Sequence, residues 1–328
     1  MKAPYGAFFY LNLSKMRNFL PEDLTITSWE QIQTYFEDLK LRELNSVGAL
    51  KKWMQDRSEL EAVLEEDMAW RYINMNIDTT DEYLQKSFQF FVEKISPNTA
   101  QYDHGFNAKF VESPYLKELD AETHYIYLRS VKNDIKLYRE ENIPLFTELT
   151  NKAQKFGEIS AQMMVTIDGE EKTLQQASVY LKNTNRAKRK EAFEKVNTRR
   201  IEDKERLDVL LDELIEKRQK VAKNADFENY RDYKFQSMGR FDYTKEDCFN
   251  FHESIEKEIV PLIADIQKER KADLGLDVLK PWDMSVDPKG NEPLKPFDGG
   301  DELLDKCIEC FDKIRPYYGD CLRKMKEM

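Results

Sequence analysis

Apolar residues in this chain recur three and four positions apart in one stretch after another, and that spacing admits little besides α-helix. Ile32, Tyr35, Phe36 and Leu39 form one such set, Val63, Leu64 and Met68 a second, and Tyr83, Leu84, Phe88, Phe91 and Val92 a third. Each set follows a hydroxyl residue with a glutamate three positions on: Thr27 and Glu30, Ser58 and Glu61, Thr79 and Glu82. In that pattern the two side chains satisfy the open amides of a first helical turn, so helices are expected to start at all three places. The same spacing predicts further helices over 125–138, 144–156 and 207–221. Glycine and proline are scarce, 11 residues each in 328, while Lys and Glu are abundant. The fold class expected from these features is mainly α.

One stretch breaks the rule. Residues 164–174 alternate in period two around Asp168-Gly169, a strong short-range signal for a β-hairpin. Beyond it Asn183-Thr184-Asn185 is placed to open another helix, one that carries Phe193 and Val196. Between 271 and 300, Pro281, Pro288, Pro293, Pro296, Gly290, Gly299 and Gly300 crowd together. That composition predicts a long irregular segment, which Trp282 and Val286 pin down, through a short strand or otherwise. No repeat of fixed period is present, which argues against a regular solenoid.

Acidic residues outnumber basic ones 62 to 51, for a net charge of −11. Binding to nucleic acid or to an anionic membrane needs a positive face, so neither is expected. The apolar run at 6–13 is interrupted by Asn12 and lacks a small-residue cleavage site, so it does not read as a secretory signal. The four cysteines, Cys248, Cys307, Cys310 and Cys321, all lie in the last third. A disulfide framework is not expected in such a chain, and a reducing cytoplasm is.

Three motifs invite chemistry, and each has a plainer reading. His252-Glu253-Ser254-Ile255-Glu256 stands one residue from the His-Glu-x-x-His of zinc peptidases, with Glu256 where the second histidine belongs. A zinc site needs three or four protein ligands, and the other histidines, His104 and His124, lie far upstream. On a helix, Cys248, Phe251, His252, Ile255, Ile259, Leu262 and Ile263 share one apolar face, so His252 is expected on or beside a buried stripe. Cys307 and Cys310, with Cys248 and Cys321, would suffice for a four-thiolate zinc site or a redox couple. Leu303, Leu304, Cys307, Ile308, Phe311 and Ile314 share a helical face, however, and core cysteines are the favoured reading. Residues 182–200 carry eight basic residues against two acidic ones. Their functional reading is an anion-steering patch, and the favoured one is a solvated helix face. No phosphate-cradling glycine loop, dinucleotide fingerprint or nucleophile elbow occurs, and no residue is assigned a catalytic, metal-binding or substrate-binding role.

Three stretches in order along the chain carry a resemblance. They are Phe19-Leu20-Pro21-Glu22-Asp23-Leu24 with Trp29 and Tyr35-Phe36, and the hairpin running into Gln176-Ala177-Ser178-Val179-Tyr180-Leu181-Lys182. The third runs from Asn229-Tyr230-Arg231-Asp232-Tyr233 through Gly239-Arg240-Phe241-Asp242-Tyr243 to Leu279-Lys280-Pro281-Trp282-Asp283. Together they resemble the oligoendopeptidase F family, relatives of thimet oligopeptidase. The resemblance implies an elongated multi-helix lobe of a two-lobed oligopeptidase fold, with a cleft that admits short peptides. It implies a helical region over 1–112, an N-terminal domain with the hairpin over 113–200, and the start of a catalytic domain over 201–328. In that family zinc is held by His-Glu-x-x-His and a downstream glutamate, which come after the part represented here. The expectation is therefore the N-terminal part of a zinc peptidase, without zinc of its own and inactive alone. A non-catalytic helical scaffold that binds peptides or proteins is the alternative.

Overall fold

A computed structural model describes residues 17–327. The apolar run at 6–13 lies outside the described residues. The chain forms two compact units: one joins the chain up to Gln162 to Glu202–Glu253, the other joins Met163–Ile201 to the chain from Ser254 onward. In the first lie α1 (Trp29–Leu41), α2 (Val47–Ile77), α3 (Glu82–Phe90), α4 (Ser96–Glu112), α5 (Ala121–Leu137) and α6 (Asn142–Ala161). The second opens with β1 (Met164–Ile167), β2 (Glu170–Thr173), α7 (Leu174–Ser178) and α8 (Arg186–Glu202). The first unit then takes in α9 (Lys204–Asn224), α10 (Tyr230–Ser237) and α11 (Lys245–Ser254). The second ends with α12 (Val260–Asp273), α13 (Gly299–Ile314) and α14 (Pro316–Lys326). The fold is mainly α with one small antiparallel sheet, as the sequence predicts. Among the described residues no helix is long and apolar enough to cross a membrane.

The hairpin forms where the alternation places it. Asp168 and Gly169 have φ of 56° and 83°, the left-handed pair that a two-residue type I′ turn requires. Met164 pairs with Thr173 and Ile167 with Glu170, and the alternation buries Val165 and Ile167 on one face. Thr173 then caps α7: its hydroxyl accepts from the Gln176 amide at 3.2 Å, and the Gln176 side chain accepts from the Thr173 amide at 2.9 Å.

The helix starts need correction. At Ser58 there is none, because α2 begins at Ser46, whose hydroxyl accepts from the Ala49 amide, and runs unbroken to Ile77. A capping pattern is local, and inside a helix already under way it has no orphan amides to satisfy. Glu59 is instead buried, and its carboxylate accepts the amides of Asn18, Phe19 and Leu20 at 3.0, 3.0 and 2.8 Å. The other two starts shift along the chain. The Gln31 carboxamide accepts from the amides of Thr27 and Ser28, and the Asp81 carboxylate accepts from those of Tyr83 and Leu84.

Those helices enclose the main core of the first unit. Trp53 is fully buried, its indole N–H donates to the Leu39 carbonyl at 2.9 Å, and Phe106 meets its ring edge-on at 5.8 Å. Ile32, Phe36, Leu39, Leu50, Ile95 and Phe110 close around the pair. The end of α1 is finished by Lys109 of α4, whose ammonium donates to the carbonyls of Leu39, Lys40 and Arg42 at 3.0, 2.8 and 2.6 Å. These are carbonyls a helix end leaves unpaired. A smaller core joins Leu137, Leu145, Val221, Ala222 and Tyr233, with buried Asn142 donating to the Val221 carbonyl at 3.0 Å.

Two π-helical turns, Phe91–Ile95 and Ile255–Ile259, precede α4 and α12. Each stands just ahead of a proline, Pro97 or Pro261, whose ring crowds the carbonyl four residues back. In both, the next amide reaches five residues back: Ser96 to Phe91 and Val260 to Ile255. The wider turn makes room for the ring without ending the helix.

Candidate functional site

The irregular segment after α12 is ordered by a buried carboxylate. No strand forms at Trp282, as the sequence would have allowed; Pro281–Asp283 make a single 3-10 turn. Asp283 is wholly buried, and the Lys280 amide donates to its carboxylate at 3.0 Å. Arg186 donates to the same group at 3.0 and 2.8 Å, and Arg189 at 2.9 Å. Arg189, 2% exposed, also donates to the carbonyls of Trp282, Asn183 and Thr184 at 3.0 Å each. From the end of α12, Arg270 donates to the Val286 carbonyl at 2.6 Å. Burial works against ionisation of Asp283, but the hydrogen bonds from Arg186, Arg189 and the Lys280 amide outweigh it and bring its carboxyl down to about 2. The guanidinium groups hold a carboxylate that this chain supplies, so the cluster is a clamp and not a receptor for an outside anion.

That finding corrects the reading of 182–200. The run is not uniformly a solvated face: Lys182, Lys188, Lys190 and Arg200 are exposed, but Arg189 is buried, and Arg186 and Arg189 tie α8 to the 279–286 segment. Sequence reasoning missed the clamp because its acid lies 94 residues downstream of Arg189. The local hint was Lys280-Pro281-Trp282-Asp283, noticed only as part of a resemblance.

His252 and its neighbours correct a second expectation. The apolar stripe exists, but it is uncovered: α11 has no fully buried residue, His252 is exposed, and Phe251 is 64% exposed. The His252 ring lies 6.5 Å from that of Phe249, and Glu256 is exposed. His104 stacks on Tyr138 at 3.9 Å, and His124 Nδ1 lies 2.8 Å from the Asp120 carbonyl. The core reading of the cysteines is likewise corrected: Cys248 and Cys307 are half-buried, and Cys310 and Cys321 are exposed. α13 packs against α14, where Gly319 allows a close approach; a Cβ there would lie 1.8 Å from Asp312 Oδ1. Phe311 meets the Tyr318 ring of α14 edge-on at 6.3 Å yet stays partly exposed, and Ile314 is left open. Among the described residues no group of three or more His, Cys, Asp or Glu side chains is placed to hold a metal ion. Among the described residues no set of side chains fits zinc.

A further charged cluster lies inside the first unit. Arg57 of α2 is buried against the rings of Trp53 and Phe106 and donates to Glu61 at 2.6 Å. Burial and the nearby Glu61 push the Asp103 carboxyl up to about 7, against the opposing pull of Arg57. Asp134, on α5, is raised by burial in the same surroundings. A cleft of about 710 Å³ between the end of α1 and α4 includes Lys40, Arg42, Tyr102 and Lys109 in its lining. Its cations are engaged: Lys109 on the helix end, and Arg42 on Asp38 and Asp56.

Two family models match the chain in order: the peptidase M3 N-terminal domain over residues 19–138 and peptidase family M3 over residues 179–297. The chain belongs to the M3 peptidase family. Solved structures share its fold. A candidate oligoendopeptidase F from Bacillus anthracis str. Ames superposes with a TM-score of 0.84 at 23% identity, over 94% of this chain and 57% of that one. PZ peptidase A, solved with an inhibitor, gives 0.84 at 23%, over 94% and 55%. Oligoendopeptidase F from Enterococcus faecium gives 0.63 at 13%, over 90% and 59%. This M3 chain thus spans little more than half the length of the structures it matches. No curated protein sequence matches it. The Asp283 clamp and the exposed α12 both lie inside the second family match.

Proposed function

We propose that this chain is the N-terminal part of a zinc metallo-oligoendopeptidase that hydrolyses internal peptide bonds of short peptides, acting in the cytoplasm. The observation that carries the reading is the ordered pair of M3 matches on a chain about half as long as the peptidases sharing its fold. On this reading residues 1–112 and 113–200 build the helical lobe and 201–328 open the catalytic domain. Zinc and its ligands then belong to the part of the fold that these 328 residues do not span. The chain alone is inactive, and His252, Cys307 and Cys310 serve the scaffold.

Internally quenched peptides test this. The 328-residue chain should leave them intact with or without added zinc. The chain extended by the uncovered part of the Bacillus anthracis oligoendopeptidase F should cleave them in a chelator-sensitive manner. Zinc-dependent cleavage by the chain alone, lost in His252→Ala, would overturn the reading. Peptide binding without cleavage by the extended protein would instead favour a non-catalytic scaffold.

A further inference from the structure

The cleft between the end of α1 and α4 has the dimensions and the chemistry of a ligand site. Its volume, about 710 Å³, lies in the range of small-ligand pockets, and all of its lining comes from residues 40–114 of the first unit. One wall is a stripe of α4, where Gln101, Gly105, Ala108 and Glu112 fall at i, i+4, i+7 and i+11 with Tyr102 beside them. At about 1.5 Å per residue that stripe runs roughly 16 Å, the span of about five residues of extended chain. Gly105 lies near its middle. A glycine inside a helix weakens it, and here neither a positive φ nor a close neighbour calls for one: an added Cβ would meet nothing within 4 Å. What the glycine does is leave the backbone of α4 bare at the cleft, where the main chain of a ligand can come close.

The opposite wall is the connection from α1 to α2. Residues 42–45 form no regular element, and Arg42 and Ser46 have extended backbone. Among the described residues the amides and carbonyls of Glu43, Leu44 and Asn45 make no hydrogen bond. An extended segment with unpaired groups is a template for another extended chain. Charge then selects what that chain carries. Of the cations lining the cleft, Lys109 serves the α1 carbonyls, Arg42 serves Asp38 and Asp56, and Lys40 lies 3.8 Å from Glu37. Glu43 and Glu112 line it too, both exposed and, among the described residues, without an ion pair. Free acids beside satisfied cations favour a basic ligand. We infer that this cleft binds a short extended peptide carrying lysine or arginine, its main chain along residues 43–45 and over Gly105, its basic side chains on Glu43 and Glu112. The inference needs neither zinc nor turnover and does not rest on the peptidase reading above.

The probe is a fluorescein-labelled pentapeptide, Ala-Lys-Val-Lys-Ala with blocked ends, titrated into the full 328-residue chain in the presence of a chelator and followed by anisotropy. It should saturate a single site, and Ala-Glu-Val-Glu-Ala should not bind. Gly105→Leu fills the space over α4 and should weaken binding roughly tenfold, with the melting temperature unchanged or raised because leucine is the better helix former. Glu43→Gln combined with Glu112→Gln should weaken it about fivefold and flatten its dependence on salt. Both of those side chains are exposed, so this pair carries the test alone if the leucine disturbs α4. Glu216→Gln, at an exposed acid on α9, should leave binding unchanged. Methylating alternate backbone amides of the probe should abolish it, since main-chain pairing needs them. Putrescine, which has the ammonium groups but no main chain, should displace the probe only weakly. Absence of binding, equal binding of the acidic or the methylated peptide, or indifference to the cleft substitutions would each overturn the inference. So would displacement by putrescine as strong as by unlabelled peptide, which would make the cleft a polyamine site. Failure of the peptidase reading, seen as an absence of cleavage, would leave all of these readouts in place.

Discussion

The core around Trp53 and the stripe on α12 are built from the same kinds of residue and meet opposite fates. In the first, Ile32, Phe36, Leu39, Leu50 and Trp53 have at most 2% exposure, closed in by helices up to about 80 residues away in sequence. On α12, isoleucine and leucine at equally regular spacing stand about half exposed. Periodicity thus reports that a helix has an apolar face, and says nothing of what lies over it. Burial is a property of neighbours, and among the described residues none covers this face of α12.

Three substitutions test how sharp that contrast is. Trp53→Ala removes the largest fully buried side chain and the indole donor to the Leu39 carbonyl, which keeps its bond from the Lys109 ammonium. It should cost about 3–5 kcal/mol, the range for an aromatic deleted from a closed core. Chemical denaturation followed by circular dichroism measures it, and a loss below about 1 kcal/mol would mean the core collapses around the gap. Arg189→Ala tests whether the second unit is held by its clamp. Removing one partner of a buried ion pair costs about 3–5 kcal/mol, and the lower end is expected because Arg186 still serves Asp283. Hydrogen exchange should quicken in the peptides spanning 279–286 and 183–189, while the Trp53 region stays protected. Unchanged exchange there would show that Trp282 and Val286 suffice without the charges.

The smallest effect depends on pH. Asp103 has a carboxyl near 7 in the folded chain and an ordinary carboxylate value near 4 when unfolded, so the folded state holds its proton more tightly. Its destabilising contribution is absent below about pH 4, grows as pH rises toward 7, and is complete above that. Glu61 and Asp134 face it with like charge, and Arg57 partly compensates. Asp103→Asn should therefore raise the melting temperature more at pH 8 than at pH 4.5, by about 2–4 °C for each kcal/mol recovered. A difference that does not vary with pH would show the carboxyl titrating in its usual range.

Much of this molecule is legible in its sequence because much of it is local. The hairpin follows from Asp168-Gly169, where the turn alone sets the backbone. The helices over 144–156 and 207–221 are found within Asn142–Ala161 and Lys204–Asn224, and that over 125–138 within Ala121–Leu137 but for its last residue, Tyr138, which caps the helix. The misreadings share one cause, which is distance. Ser58 has a capping pattern, but Ser46 had already started the helix. Within the run at 182–200, Arg189 reads as solvated because its acid, Asp283, is far along the chain. His252 reads as near a buried stripe because spacing cannot reveal a missing cover. For the candidate site the gap is larger still. Motif spacing identified His252-Glu253 and Cys307/Cys310 as lures, while the clamp that orders this region was visible only as a familiar phrase.

The reach of that clamp also sets a timetable for the growing polypeptide. Ribosomes add about 5–20 residues per second, so on the order of 5–20 seconds separate the synthesis of Arg189 from that of Asp283, 94 positions later. Throughout that interval the guanidinium has no carboxylate to meet, and water must serve it, because an unpaired charge cannot be enclosed. The segment carrying the hairpin and α8 therefore emerges early but closes late, whereas the Trp53 core can form from residues already made. A nascent chain stalled between these points would be closed at one end and open at the other, a state in which chaperones and proteases find their substrates.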